Sequence, residues 1–151
     1  MLSRLCFGLV LLLLSSYVTA GTGLAQYSLK NLRSGEITDL ATVTQGTVAL
    51  MFYEPDCSWC RKQAQALTEL QQQCGNVTPI ALGINASRLA LKKALFTLQF
   101  PFAGFMAPHQ LLQDLGGIPA TPITLVFKQQ QLIGAFRGYQ PATVLQTKTG
   151  C

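Results

Sequence analysis

Thr47-Val48-Ala49-Leu50-Met51-Phe52-Tyr53-Glu54-Pro55-Asp56-Cys57-Ser58-Trp59-Cys60 is the stretch on which the reading of this chain turns. Its first seven residues are a continuous, β-favouring apolar run, too short for a helix, which predicts a buried strand. Glu54-Pro55-Asp56 ends that run. From Ser58 to Gln73 there is no Gly or Pro, and Cys60, Ala64, Leu67, Leu70 and Cys74 recur at steps of four and three. That spacing marks the buried face of an amphipathic helix, which Gly75-Asn76 stops. Cys57 therefore falls where a buried strand hands over to a helix.

Outward from this unit the pattern alternates. Pro79 to Ile84 reads as a second buried strand and Ser87 to Leu98 as a helix carrying Arg88, Lys92 and Lys93. Phe102 to Met106 predicts a short strand, His109 to Leu115 a helical turn or two, and Thr143 to Thr147 a short last helix. Pro122 to Phe127 and Leu132 to Phe136 predict an antiparallel hairpin joined through Lys128 to Gln131. Upstream, Tyr27 to Leu29 and Ile37 to Leu40 flank Arg33-Ser34-Gly35 and read as a pair of extended segments. Alternating β and α elements with a closing hairpin predict an α/β fold, a mixed sheet with helices on both faces.

The 151 residues are 49% hydrophobic and 11% charged, which excludes a disordered, charge-rich polymer and suits one domain with its own core. Met1 to Arg4 place a positive charge ahead of the apolar run Leu5 to Leu14, and Val18 and Ala20 are the small residues a cleavage site wants. We expect residues 1–20 to be a signal peptide and residues 21–151 the mature domain. The run is too short to span a bilayer, where about 20 residues are needed. Localisation is then export, with the periplasm favoured, and secretion or an anchor formed by uncleaved residues 5–20 as alternatives. Cleavage removes Arg4 and no acidic residue, so the formal charge of +5 falls by one. The remaining basic residues are scattered without aromatic interleaving, which gives nucleic-acid binding no support.

An exported chain meets an oxidising compartment, where Cys57, Cys60, Cys74 and Cys151 are able to pair. In Cys57-Ser58-Trp59-Cys60 one helical turn separates the sulfurs, close enough for a small disulfide ring. The free N–H groups and positive dipole end of the helix's first turn stabilise a thiolate on Cys57 and make it the attacking sulfur. Cys60, one turn in and on the buried face, suits a resolving thiol. Haem attachment would want His where Arg61 stands. Zinc would need two further ligands, yet the chain has one His, His109, and no second C-x-x-C. No metal is expected; a structural disulfide is the bland alternative to redox chemistry.

On these residues the chain resembles the thioredoxin superfamily and, within it, the exported TlpA-like thiol-disulfide oxidoreductases. Tyr27 to Leu32 with Gly35 and Ile37 to Leu40 resembles the opening hairpin of that group, Val48 to Cys60 its strand and active-site turn, and Gly117 to Thr124 the segment leading into its cis-proline strand. The resemblance implies a thioredoxin-like α/β fold with a mixed central sheet of about five strands flanked by helices on both faces, and a cis Thr121–Pro122 bond facing the cysteines. It also implies catalysis by Cys57 and Cys60, no bound cofactor, and protein thiol or disulfide substrates held at Thr121 and Pro122. The activity it implies is that of a reductase fed by a membrane thiol reductase. An oxidase or isomerase, and a non-catalytic thioredoxin-fold binding or assembly module, are the alternatives. Oligomeric state is not implied.

Some positions depart from the family pattern. Met51 stands where thioredoxin has a buried Asp, Asp56 where Trp often precedes the first Cys, and Glu54 reads either as a substitute acid or as a surface residue. Trp59 reads either as part of an apolar contact surface with Pro122 and residues near Phe136, or as packed on its own domain. His109 reads as a surface or cap residue. In the topology that the resemblance implies, the last helix runs with the active-site helix, so Cys151 would reach Cys74 in a structural disulfide. Cys74 as a small core hydrophobe, with Cys151 pairing between chains, is the competing reading.

Overall fold

The computed structural model describes residues 23–151; the expected signal peptide lies outside them. After a 3-10 turn at Leu24–Gln26, β1 (Ser28–Asn31) and β2 (Ile37–Asp39) form an antiparallel hairpin. A one-turn helix, α1 (Leu40–Val43), follows, with the Asp39 side chain accepting from Thr42 N–H at its N-cap. The extended reading of Leu40 is thus corrected. Asp39 is a capping residue, and its carboxylate turns the chain into a helix at the point where the apolar run continues.

The central strand β3 (Thr47–Tyr53) is buried at every position. Its side chains divide by parity. Ala49, Met51 and Tyr53 enter one core cluster, while Val48, Leu50 and Phe52 enter another on the opposite face. Helix α2 (Ser58–Gln73) leads to β4 (Val77–Gly83), which pairs parallel with β3. Helix α3 (Arg88–Thr97), capped by Ser87, leads to β5 (Ala103–Met106), parallel to β4. After α4 (His109–Asp114) the chain returns as β6 (Ile123–Lys128), antiparallel to β3, and β7 (Gln131–Arg137). Gln129 and Gln130 turn that hairpin with φ of 50° and 67°. The last helix is α5 (Ala142–Thr149).

One sheet results, ordered β2-β1-β5-β4-β3-β6-β7. It has seven strands, not about five: β1 bonds to β5, so the opening hairpin extends the sheet instead of standing apart from it, and β2 becomes an edge. Core residues of α2, α3 and α5 cover the Met51 face, whereas Leu40 of α1 and Leu111 of α4 belong to the Phe52 face. The Leu91 side chain of α3 packs directly onto the backbone of β4 at Gly83. A Cβ there would stand 2.6 Å from Leu91 Cδ2. Among the described residues no helix is long and apolar enough to cross a membrane.

Candidate active site

The parallel ladder continues past β3 through Ile84 N–H donating to Tyr53 C=O at 3.0 Å, and the chain then turns out of the sheet at Glu54-Pro55-Asp56. Cys57 is the N-cap of α2, with extended backbone angles (φ −92°, ψ 93°). Its sulfur accepts the Cys60 backbone N–H at 3.1 Å, so an orphan donor of the helix's first turn is aimed at the sulfur expected to attack. A disulfide joins Cys57 to Cys60, with Cα atoms 5.2 Å apart. Cys57 is half-buried and Cys60 fully buried.

The Thr121–Pro122 peptide is cis, as the resemblance implies. Pro122 is buried just before the Phe52–Ile123 pair, at the end of β6 that lies beside the strand leading to Cys57. A groove of about 660 Å³ joins the two segments. Its walls include Cys57, Trp59, Asn85 and Thr121.

Glu54 proves to be more than a surface residue. Its carboxylate accepts from Thr121 Oγ1 at 3.0 Å and from Asn85 Nδ2 at 2.8 Å. One side chain thus ties the end of β3 to the cis-proline loop and to the β4–α3 loop, where Asn85 has a φ of 56°. The partners lie 67 and 31 residues away, so no local pattern around Glu54 points to them.

Trp59 packs on its own domain while staying half exposed. It is 52% exposed, yet its ring leans on Tyr139 with centroids 6.0 Å apart, and Lys62 Nζ stands 4.2 Å from the ring centre. Tyr139, rather than the half-buried Phe136, is the exposed aromatic beside it. The loop carrying Tyr139 is held from below by Gln63 of α2. That fully buried amide accepts Gln140 N–H at 2.7 Å and donates to Gln140 C=O at 3.2 Å. Gln63 and Tyr139 were not singled out in the sequence. A polar residue on the buried face of α2 was the available signal for Gln63.

Charges near Cys57 are spent in different directions. The Arg61 guanidinium donates to Thr97 C=O at the end of α3, Lys62 covers Trp59, and Asp56 is exposed at the mouth of the groove. His109 is exposed in the first turn of α4. Among the described residues no group of three or more His, Cys, Asp or Glu is placed to hold a metal ion.

At the far end of α2, buried Cys74 is joined to exposed Cys151, with Cα atoms 5.8 Å apart. Helix α5 therefore runs alongside α2 in the same direction. Gln63 and Gln140 tie their beginnings, and Cys74 and Cys151 their ends.

No protein-family model matches the chain, and no curated protein matches it in sequence. Solved structures do. A secreted Mycobacterium tuberculosis disulfide oxidoreductase homologous to E. coli DsbE superposes with a TM-score of 0.65 at 16% identity, covering 83% of this chain and 96% of that one. A DsbF homologue from Corynebacterium diphtheriae gives 0.65 at 22% identity, over 82% and 84% of the two chains. The thioredoxin domain of a thiol-disulfide oxidoreductase from Bacteroides vulgatus gives 0.66 at 15% identity, over 83% and 94%. With a mixed sheet covered on both faces, a Cys57–Cys60 pair at the start of α2 and a cis-proline beside it, the described chain has the thioredoxin-like fold of these thiol-disulfide oxidoreductases.

Proposed function

We propose that the chain is an exported thiol-disulfide oxidoreductase that reduces disulfides in protein substrates through Cys57-Ser58-Trp59-Cys60. One observation carries the reading. The Cys57 sulfur is half-buried at a helix N-cap and accepts a first-turn N–H, while its disulfide partner Cys60 is wholly buried one turn in. That asymmetry suits a two-step exchange. The Cys57 thiolate, favoured by the N-terminal end of α2, attacks one sulfur of a substrate disulfide and forms a mixed disulfide, releasing the other sulfur as a thiolate. Cys60 then attacks the Cys57 sulfur, the second substrate sulfur leaves as a thiolate, and the Cys57–Cys60 disulfide remains.

In this reading an extended substrate segment lies in the groove between Trp59 and Thr121–Pro122, with Tyr139 supporting the Trp59 ring. Cys74–Cys151 is a structural bridge. Residues 1–20 direct export and are removed, residues 21–151 form the working domain, and the periplasm is the compartment. No cofactor takes part. A membrane dithiol reductase supplies two electrons per turnover, and the secreted relative from M. tuberculosis supports an extracytoplasmic setting.

Turnover of a disulfide-bonded protein such as insulin, with dithiothreitol as the electron source, tests the reading. Wild type should accelerate reduction, Cys57→Ser should abolish the acceleration, and Cys60→Ser should accumulate a mixed disulfide through Cys57. Equal rates for wild type and Cys57→Ser would leave an assembly module as the better account. Net oxidation of reduced substrate, with no reduction, would make it an oxidase.

A further inference from the structure

The chain has six acidic residues against eleven Lys and Arg, for a formal charge of +5. Two of the six, Glu54 and Asp56, line the groove that holds Cys57, Trp59 and Thr121, and among the described residues no Lys, Arg or His lines it. The groove beside the reactive sulfur thus carries the opposite charge from the chain as a whole. The other four acids have partners of their own. Asp39 caps α1, Asp114 accepts from Tyr27 and Gln110, Glu36 accepts from Ser34, and Glu69 accepts from Gln73.

The walls of the groove do not offset these two formal negative charges. Glu54 is half-buried, and its oxygens accept from Thr121 Oγ1 and Asn85 Nδ2, neutral donors that fix the carboxylate in position and leave its charge in place. Asp56 is exposed at the mouth. The cations that follow Cys60 are placed otherwise. Arg61 donates to Thr97 C=O and, with Lys93, lines a second groove of about 600 Å³ on the α3 side, while Lys62 stands over the Trp59 ring. Both grooves share Pro55, Asp56 and Ser58, so the balance of charge reverses across the turn that carries Cys57.

We propose that Glu54 and Asp56 make this groove selective for cationic substrate: a disulfide-bonded protein segment that carries Lys or Arg beside the cysteine attacked by Cys57. The inference deepens the redox reading of Cys57 and Cys60 and rests on it. A cationic side chain entering the groove meets two carboxylates, whereas an acidic one meets like charge with no cation on the walls to answer it, so the groove both attracts and rejects. In the exchange itself the substrate S–S bond breaks and the Cys57–Cys60 bond forms, two electrons passing to the substrate. Its two sulfurs leave as thiolates and take up one proton given up by Cys60 and one from solvent. Glu54 and Asp56 take no part in these bond changes; they determine which segment is held while the bonds change.

The test uses the full chain, reduced with dithiothreitol and then freed of it, and three disulfide-bonded peptides that are identical except for Lys, Gln or Glu beside each cysteine. Alkylation mass spectrometry follows the peptide thiols, and each rate is divided by that of the same peptide with dithiothreitol, which removes the reactivity of the peptide itself. At low ionic strength the Lys peptide should react about tenfold faster than the Glu peptide, with Gln between, and the ratio should shrink below about threefold in about 0.5 M salt. Asp56→Asn should cut the Lys-to-Glu ratio about threefold, and adding Glu54→Gln should bring it close to one. Lys93→Gln, in the second groove, should leave it within about 1.5-fold of wild type. Should the double variant fail to fold, Asp56→Asn carries the test alone, since its side chain is exposed. Equal normalised rates for the three peptides, a ratio that survives loss of the acids, or a Lys93→Gln shift as large as that of Asp56→Asn would each overturn the proposal. A wild type that reduces none of the peptides refutes the redox reading itself and the selectivity with it; one that reduces all three alike refutes only the selectivity.

Discussion

Replacing Cys151 by serine opens the bridge that ties the end of α5 to the end of α2. Cys151 is exposed and its partner is buried, so the change leaves Cys74 as a small thiol in the core and creates no cavity there. The bridge spans 77 residues of sequence. In the chain-entropy model a loop of that length stabilises the folded state by about 4.5 kcal/mol, because the open unfolded chain regains its freedom. Unfolding entropy of about 2.1 cal/mol/K per residue over the described length amounts to about 0.27 kcal/mol/K, so the melting temperature should fall by about 17 °C. The Cys57–Cys60 bridge spans only 3 residues and restrains the unfolded chain far less, which makes the two contributions separable. Calorimetry under non-reducing conditions checks this. Wild type in excess dithiothreitol should melt close to Cys151→Ser, and dithiothreitol should move the variant little further. A fall of less than about 4 °C, or alkylation of Cys74 in unreduced wild type, would refute the reasoning.

Further expectations follow from single contacts. Glu54→Ala frees Thr121 and Asn85 at the edge of the groove, so KM for a protein substrate should rise about three- to tenfold with the melting temperature nearly unchanged; an unaltered KM would deny Glu54 its part in shaping the groove. Gln63→Leu leaves the Gln140 N–H and C=O unpaired beside the core, at a cost of about 1–3 kcal/mol, and should shift the emission of Trp59 as Tyr139 loosens. Burial lifts the Tyr53 phenol well above its ordinary value of 10.0. The unfolded state then ionises first, so the stability that the neutral phenol contributes is complete below pH 10 and declines as the pH rises beyond it. The urea midpoint should therefore drop more steeply above pH 10 in wild type than in Tyr53→Phe.

How legible these features were depended on how far away their partners lie. Strand β3 and helix α2 match the sequence reading at both ends, because an unbroken apolar run and a steady helical stripe are local signals. The handover at Cys57 followed from those two boundaries, and with it the electrostatic environment of the sulfur. The extent of the sheet did not. Seven extended segments were visible, but whether the opening hairpin joins the sheet depends on the pairing of Lys30 with Met106, 76 residues apart in the numbering, which no local pattern encodes. Helix α1 was missed because four residues carry too little periodicity, leaving the Asp39 cap as its one signal.

The same distinction divides the site. Cys57 and Cys60 identify themselves by spacing, and the cis-proline segment by resemblance. Glu54, Gln63 and Tyr139 acquire their roles from neighbours on other strands and loops. Composition offers only the hint that a Gln or Thr on an apolar face needs a partner. For Gln63 that partner is Gln140, reached across 77 residues. For Thr124 the oxidised structure has none.

The reduction potential of the Cys57–Cys60 pair tests the central claim most directly. Alkylation mass spectrometry across a dithiothreitol series should show these two cysteines titrating together as one two-electron couple, at about −250 mV or below, while Cys74 and Cys151 stay paired to more reducing conditions. A couple near about −120 to −180 mV would reverse the proposed direction of electron flow toward oxidation or isomerisation. No titration of Cys57 and Cys60 across the accessible range would contradict the account.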